Sequence, residues 1–125
     1  MGDYEVNTNL SEDDNKSIYL LNDYEMIGSI DFKVYPEKQK VWIYKIEVKE
    51  KYQSRGYGEE LLKLFEDYCR KHRIFYVEGK FYPENDHARP FYIKHGYEIY
   101  KEYYSTYIYK DLREAEKTPQ EDLTM

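Results

Sequence analysis

The sequence predicts a mixed α/β domain: a mostly antiparallel twisted sheet with a locally parallel central pair and two main flanking helices. Three observations carry this. Short runs rich in β-branched and aromatic residues recur at 17–22, 26–35, 41–48, 74–79, 97–100 and 104–110. Between 41–48 and 74–79 the apolar spacing changes, with Leu61, Phe65, Tyr68 and His72 recurring every three or four residues. A helix that joins two strands in this way implies a right-handed crossover and a parallel pair.

The elements follow in order. Residues 1–16 are polar and acidic and read as turn or loop, with a weak strand at Tyr4–Asn7. The runs 17–22 and 26–35 flank the turn residues "DYE" and form a β-hairpin. Pro36 through Lys40 make the next turn. The run "VWIYKIEV" is a central strand, and simple alternation places Trp42, Tyr44, Ile46 and Val48 on one face. An amphipathic helix extends from Gly58 to about His72, followed by the strand 74–79.

The segment 84–97 reads as a second helix, with Asn85 as N-cap and Gly96 as a left-handed C-cap. Pro90 leaves two alternatives. It lies within the helix and kinks it, or it lies in the first turn, where its missing amide has no partner to lose. The second moves the helix start toward Arg89 and makes 85–88 a loop. Residues 1–110 are expected to form a single domain and 111–125 a charged tail.

Composition narrows the function. A mean hydropathy of −0.98 suggests disorder, but the chain carries 17 tyrosines, whose rings bury well. A net charge of −6 argues against a non-specific nucleic-acid binder and suits a cationic partner. The single cysteine, Cys69, has no internal partner and points to a reducing compartment. No run reaches membrane-spanning length, no signal-peptide pattern opens the chain, and Val6 spoils an N-myristoylation match, so a cytoplasmic protein is expected. No cluster shows metal-ligand spacing.

The stretch "YQSRGYGEELLKLF" places Gly56 and Gly58 directly before the first helix. The first turn of a helix leaves amide N–H groups without partners, and the helix dipole makes that end positive. Glycines allow close approach, so strand, glycine loop and helix make a cradle suited to phosphate. Arg55 adds a charge. A tight turn with no ligand is the plainer alternative. The loop is neither a Walker A nor a full G-x-G-x-x-G, since Leu61 stands where the last glycine belongs.

Here the chain resembles the GNAT superfamily of N-acetyltransferases. "QSRGYG" is similar to the Q/R-x-x-G-x-G/A signature that holds the pyrophosphate of acetyl-coenzyme A in that family. "NDHARPFYIKHGY" resembles its N-x-x-A-x-x-F/L-Y-x-x-x-G-F/Y segment at Asn85, Ala88, Phe91, Tyr92, Gly96 and Tyr97. The resemblance is strongest over 41–97.

The resemblance implies an acetyl-CoA-dependent N-acetyltransferase acting on a primary amine by direct attack in a ternary complex. It assigns the phosphates to Gln53, Ser54, Arg55, Gly56, Tyr57, Gly58 and Glu59. It assigns the pantetheine arm and the carbonyl oxygen to the backbone around Ile46, Glu47 and Val48. Tyr92 becomes the acid that protonates the departing thiolate, and Asn85 lines the cofactor or caps a helix. The base is Glu78, Glu47 or an ordered water. His72 and His95 suit helix ends, whereas His87 lies near the proposed site.

The chain departs from the family pattern ahead of the hairpin: the family usually carries a strand and one or two helices there, whereas here about sixteen polar residues show no helical apolar period. The acceptor site is then open, or a homodimer through the C-terminal strands completes it. The alternative to an enzyme is a non-catalytic acyl-CoA-binding or protein-interaction module.

Overall fold

The computed structural model describes residues 4–9, 14–23 and 25–113. Seven strands form one sheet: β1 (Glu5–Asn9), β2 (Asn15–Asn22), β3 (Glu25–Tyr35), β4 (Lys40–Val48), β5 (Tyr76–Phe81), β6 (Glu98–Tyr103) and β7 (Ser105–Asp111). Their spatial order is β1-β2-β3-β4-β5-β7-β6. All pairs are antiparallel except β4 with β5, which are parallel and joined by α1 (Tyr57–Lys71). A second helix, α2 (Ala88–Lys94), joins β5 to β6. The mixed sheet with one parallel pair and two helices is the predicted architecture.

Helix α1 buries Leu61, Leu62, Phe65 and Cys69 against β2, β3 and β4. Glu59 and Glu60 in its first turn and Arg70 and Lys71 in its last match the signs of the helix dipole. Phe65 and Tyr68 pack on Phe32 of β3, with the Phe32–Phe65 ring centroids 4.9 Å apart. Burial pushes the Cys69 thiol well above its ordinary range, so it remains an unreactive core residue.

Strand β4 departs from simple alternation. Asp31 faces Lys45 and Phe32 faces Ile43, so Tyr44 is an extra residue, a β-bulge. Before it, Val41 and Ile43 lie opposite Val34 and Phe32 on the face that α1 covers. After it, Ile46 and Val48 take that face, opposite Ile30 and Gly28. Trp42 therefore points to the other side of the sheet from Ile46 and Val48. A one-residue insertion reverses the phase of a strand, and period-two spacing carried through it misplaces half the side chains.

Pro90 is the third residue of α2, within the first turn, where no amide partner is lost. Asn85 does not cap this helix. It ends a short 3₁₀ turn, Pro83–Asn85, and His87 occupies the cap position. Gly96, at φ 88°, closes α2 with Gly96 N–H donating to Ile93 O and Tyr97 N–H to Tyr92 O. That paired arrangement is a Schellman motif, which needs the left-handed residue. Leu112 is fully buried and its N–H donates to Phe75 O at 2.9 Å. Ordered chain thus runs past 111, where the tail was expected to begin, and residues 114–125 lie outside the described residues.

Both helices lie on one face of the sheet, and a buried charged network ties them together. The Glu66 carboxylate of α1 accepts from the Tyr97 hydroxyl at 2.8 Å and from Lys110 Nζ of β7 at 3.0 Å. Lys110 also donates to His95 O at 2.7 Å, at the end of α2. The side chains of Lys110 and Glu66 are only 11% and 10% exposed. Removing one partner of such a pair leaves the other poorly compensated, here with only Arg70, among the described residues, at 3.6 Å as a counter-charge to Glu66. We expect Lys110→Met to lower the unfolding free energy in urea by about 3 kcal/mol, and a second change, Glu66→Leu, to restore most of it.

Candidate functional site

The parallel pair is short. Lys40–Ile43 of β4 pair with Tyr76–Gly79 of β5, yet β4 runs on to Val48 and β5 to Phe81. The two strands separate directly before the bulge at Tyr44, which bends β4 away while β5 stays paired with β7 as far as Phe81. The gap opens into a cleft of about 770 Å³. The two strands are therefore splayed beyond Ile43 and Gly79. Backbone of Tyr44–Val48 forms one wall, and Phe91, Tyr92 and His95 of α2 and its end form the other. The first turn of α1 closes the helix side.

The glycine loop has the required chemistry. Gln53 N–H donates to Glu50 O and Glu60 N–H to Gly56 O. The six amides between them, Ser54 through Glu59, donate to no protein acceptor among the described residues. Ser54 (φ 64°) and Gly56 (φ 85°) are left-handed, which turns successive amides the same way before the helix begins. A Cβ on Gly58 would approach Phe91 and Val48 only to 3.5 and 3.9 Å, so protein packing does not demand glycine there. Its bare backbone leaves room for a ligand at the helix N-terminus. These residues fit a diphosphate.

The remaining cofactor candidates divide. Ile46, Glu47, Val48, Gln53, Ser54, Gly56, Tyr57, Gly58, Glu59, Asn85 and Tyr92 all border the cleft. Arg55 does not; its guanidinium stands 5.9 Å over the Tyr52 ring. The Gln53 side chain turns back, donating from Nε2 to Val48 O at 2.9 Å, and so tethers the loop to the end of β4. Gly28 serves the same junction: a Cβ there would stand 2.5 Å from Glu47 O.

Tyr92 is 5% exposed, with Phe81 stacked on it and Phe91 and Tyr97 edge-on. Its hydroxyl donates to no protein group among the described residues. Burial alone pushes its pKa up to about 12. A phenol so placed stays protonated and offers a hydrogen bond to a nearby anion.

The two carboxylates part company. Glu47 borders the cleft at its open end, with Lys45 and Lys49 at 3.4 and 3.8 Å. Glu78 does not border it. Glu78 sits opposite Trp42 in the paired part of β5, salt-bridged to Lys40 and 3.5 Å from the Tyr100 hydroxyl. His87 and His95 line the cleft, while His72 stacks on Tyr68 at 4.3 Å, away from it. Tyr44 and Lys80 also border the cleft and were not foreseen. The lysine next to Gly79 in a strand was the available signal for Lys80; the bulge that exposes Tyr44 leaves none. Among the described residues no group of three or more His, Cys, Asp or Glu is placed to hold a metal ion, and no helix is long and apolar enough to cross a membrane.

The burial of Tyr92 has a pH signature. Its folded pKa lies above the unfolded value of 10.0, so its contribution to stability is complete below about pH 10 and is lost as pH rises toward 12. Tyr97 moves in the same direction, held up by burial and by Glu66. Thermal melts from about pH 8 to 11 should show a falling midpoint at the alkaline end, with a shallower fall in Tyr92→Phe. Parallel curves for the two proteins would contradict this.

Comparison with known proteins agrees with the geometry. Among curated proteins none matches the chain by sequence. Among solved structures, PaiA N-acetyltransferase from Thermoplasma acidophilum, in complex with coenzyme A, superposes with a TM-score of 0.70 at 21% identity, over 76% of this chain. The chain spans 59% of that protein's length. The ribosomal-protein-S18-alanine N-acetyltransferase of Escherichia coli gives a TM-score of 0.72 at 17% identity, covering 81% and 71% of the two chains. A Bacillus anthracis str. Ames chain solved with acetyl coenzyme A gives 0.71 at 19% identity, covering 82% and 65%. At these identities the likeness is one of fold. Residues 2–97, from β1 through the end of α2, match the sequence model of the acetyltransferase (GNAT) family, and the chain belongs to that family.

Proposed function

We propose that the protein transfers an acetyl group from acetyl-CoA to a primary amine by direct attack within a ternary complex. The single observation that carries this is the run of six unpartnered amides, Ser54 through Glu59, at the mouth of the β4–β5 cleft. That arrangement holds a diphosphate at one end and leaves the open edge of β4 beside the arm that leads from it.

In the transfer, the amine nitrogen bonds to the carbonyl carbon and the carbon–sulfur bond breaks. The nitrogen loses the proton that made it an ammonium and a second proton after attack; the sulfur gains one. The loop amides bind the phosphates. Unpaired backbone N–H groups of β4 beyond the bulge face the carbonyl oxygen, where donors count most as charge develops. Tyr92 donates a hydrogen bond to the departing sulfur. With its pKa near 12 it acts chiefly as a donor that stabilises sulfur charge, since full transfer to an ordinary thiolate would run uphill.

Glu47 is the carboxylate on the acceptor side and attracts the ammonium; the proton leaves through it or through water beside it. Glu78, held by Lys40 outside the cleft, takes no part. Among the described residues no helix covers the second face of the sheet, and an open face there suits a bulky acceptor such as a peptide.

Calorimetry with acetyl-CoA, followed by release of free thiol with a panel of amines, tests the reading. Binding with turnover on at least one amine is expected. Binding with no turnover on polyamines, aminoglycosides or peptide amines would instead make the protein a binding module. Tyr92→Phe should lower turnover about 10- to 100-fold with the acetyl-CoA Kd unchanged, and an equal loss of both would make the ring structural. Glu47→Gln should lower kcat/KM by about tenfold or more, while Glu78→Gln stays close to the parent.

A further inference from the structure

The sheet face opposite the helices carries a compact aromatic and cationic surface that the acetyl-transfer reading leaves unused. Lys80 of β5, Tyr107 of β7 and Lys101 of β6 are direct cross-strand neighbours. The Nζ atoms of Lys80 and Lys101 lie 5.9 and 5.3 Å from the Tyr107 ring centroid, on either side of it along the sheet. Trp42 and Tyr100 flank the same ring, at 6.4 and 6.0 Å. Tyr100 is half exposed, and Trp42 is partly so.

The acids of this face are otherwise engaged. Glu78 is held by Lys40 and the Tyr100 hydroxyl, Asp111 by Arg113 and Asp31 by Ser17, while Glu47 has Lys45 and Lys49 only at 3.4 and 3.8 Å, looser contacts that leave it able to meet a cation. Glu98, opposite Tyr109 near one edge, and Glu5, opposite Leu21 at the other, are the exceptions. Lys80 and Lys101 have no carboxylate partner among the described residues, in a chain whose net charge is −6. Lys80 also borders the cleft, so the surface runs without interruption from the site of transfer.

We propose that this surface selects the acceptor: a peptide whose free amine enters at Glu47 and whose following residues include Asp or Glu, held by Lys80 and Lys101 with apolar support from Trp42, Tyr107 and Tyr100. This rests on the acetyl-transfer reading and specifies its substrate class. Strands lie about 4.8 Å apart and an extended peptide advances about 3.3 Å per residue. Crossing from the cleft edge over β5 and β7 to β6 therefore places the acidic residues roughly two to five positions beyond the amine. The amine cation and the downstream carboxylates meet opposite charges in that order, Glu47 first and the lysines after it, which fixes the direction in which the peptide lies.

The test has two arms. In the first, free thiol is followed with acetyl-CoA and matched peptides carrying Asp-Glu or Lys-Arg at positions three to five. The acidic peptide should be favoured in kcat/KM by about tenfold, the sum of two exposed charge contacts, and the advantage should shrink with added salt. Lys101→Glu should reduce it, and Lys80→Glu with Lys101→Glu should reverse it; Lys101→Glu keeps the acetyl-CoA Kd. Equal rates for the two peptides, a preference for the basic one, or a preference unmoved by the double variant would overturn the proposal.

In the second arm, fluorescence anisotropy follows binding of the labelled acidic peptide without acetyl-CoA. If no amine is acetylated but this peptide binds and the double variant abolishes binding, the surface stands and the transfer reading fails. If a single-stranded oligonucleotide of equal charge binds more tightly than the peptide, the surface reads nucleic acid, and the proposal fails.

Discussion

Strand pairing that stops partway along the middle of a sheet is the constraint from which the site follows. β4 and β5 share four register positions and then part, at the place where Tyr44 adds a residue to β4. An extra residue on one strand bends it and increases its twist, while the partner that lacks it runs straight. Here β5 carries no insertion and stays with β7 over six positions, Tyr76 to Phe81, while β4, bent at Tyr44, stays with β3 on its far side and turns away from β5. The backbone edge of Tyr44–Val48 loses a protein neighbour and becomes available to an extended ligand, as an exposed sheet edge does elsewhere.

The helix junction completes what the split begins. Chain leaving β4 turns through two left-handed residues into α1, so the unpartnered amides of the helix start open onto the same cleft. Gln53 binds the loop back to Val48 O, and the closeness of Gly28 to Glu47 O holds the end of β4 against β3. On the opposite wall, the Glu66–Lys110–Tyr97 network fixes α2 to α1 and β7, which sets the Tyr92 ring among Phe81, Phe91 and Tyr97. The glycine loop, the open edge of β4 and the buried Tyr92 hydroxyl are thus positioned by separate contacts that meet at one place.

Much of this is legible in the residues. The change from period two to period three-and-four between Val48 and Leu61 announces the crossover and hence the parallel pair, and Gly56 and Gly58 announce the loop. Less legible is anything that depends on register. The bulge at Tyr44 leaves no local signature, so Trp42 is read onto the wrong face, and Tyr44 and Lys80 go unnoticed as residues that border the cleft. Glu78 attracts notice by its distance along the chain from Asn85, but β5 is still paired with β4 at that point, and Lys40 claims the carboxylate. Asn85 looks like a cap because a proline five residues on hides where the helix begins; with the helix starting at Ala88, Pro90 falls in the first turn. Leu112 looks like tail because charged residues surround it, although β7 carries it into the core.

The most direct measurement is of the amides themselves. In ¹⁵N-resolved spectra of the protein titrated with coenzyme A and, separately, with S-acetylpantetheine, which lacks the diphosphate, the signals of residues 54–59 should move strongly with the first and little with the second. Residues 44–48 should respond to both. If the six loop signals stay in place with coenzyme A, or shift equally with the two ligands, the loop does not hold the diphosphate and the cleft serves some other purpose.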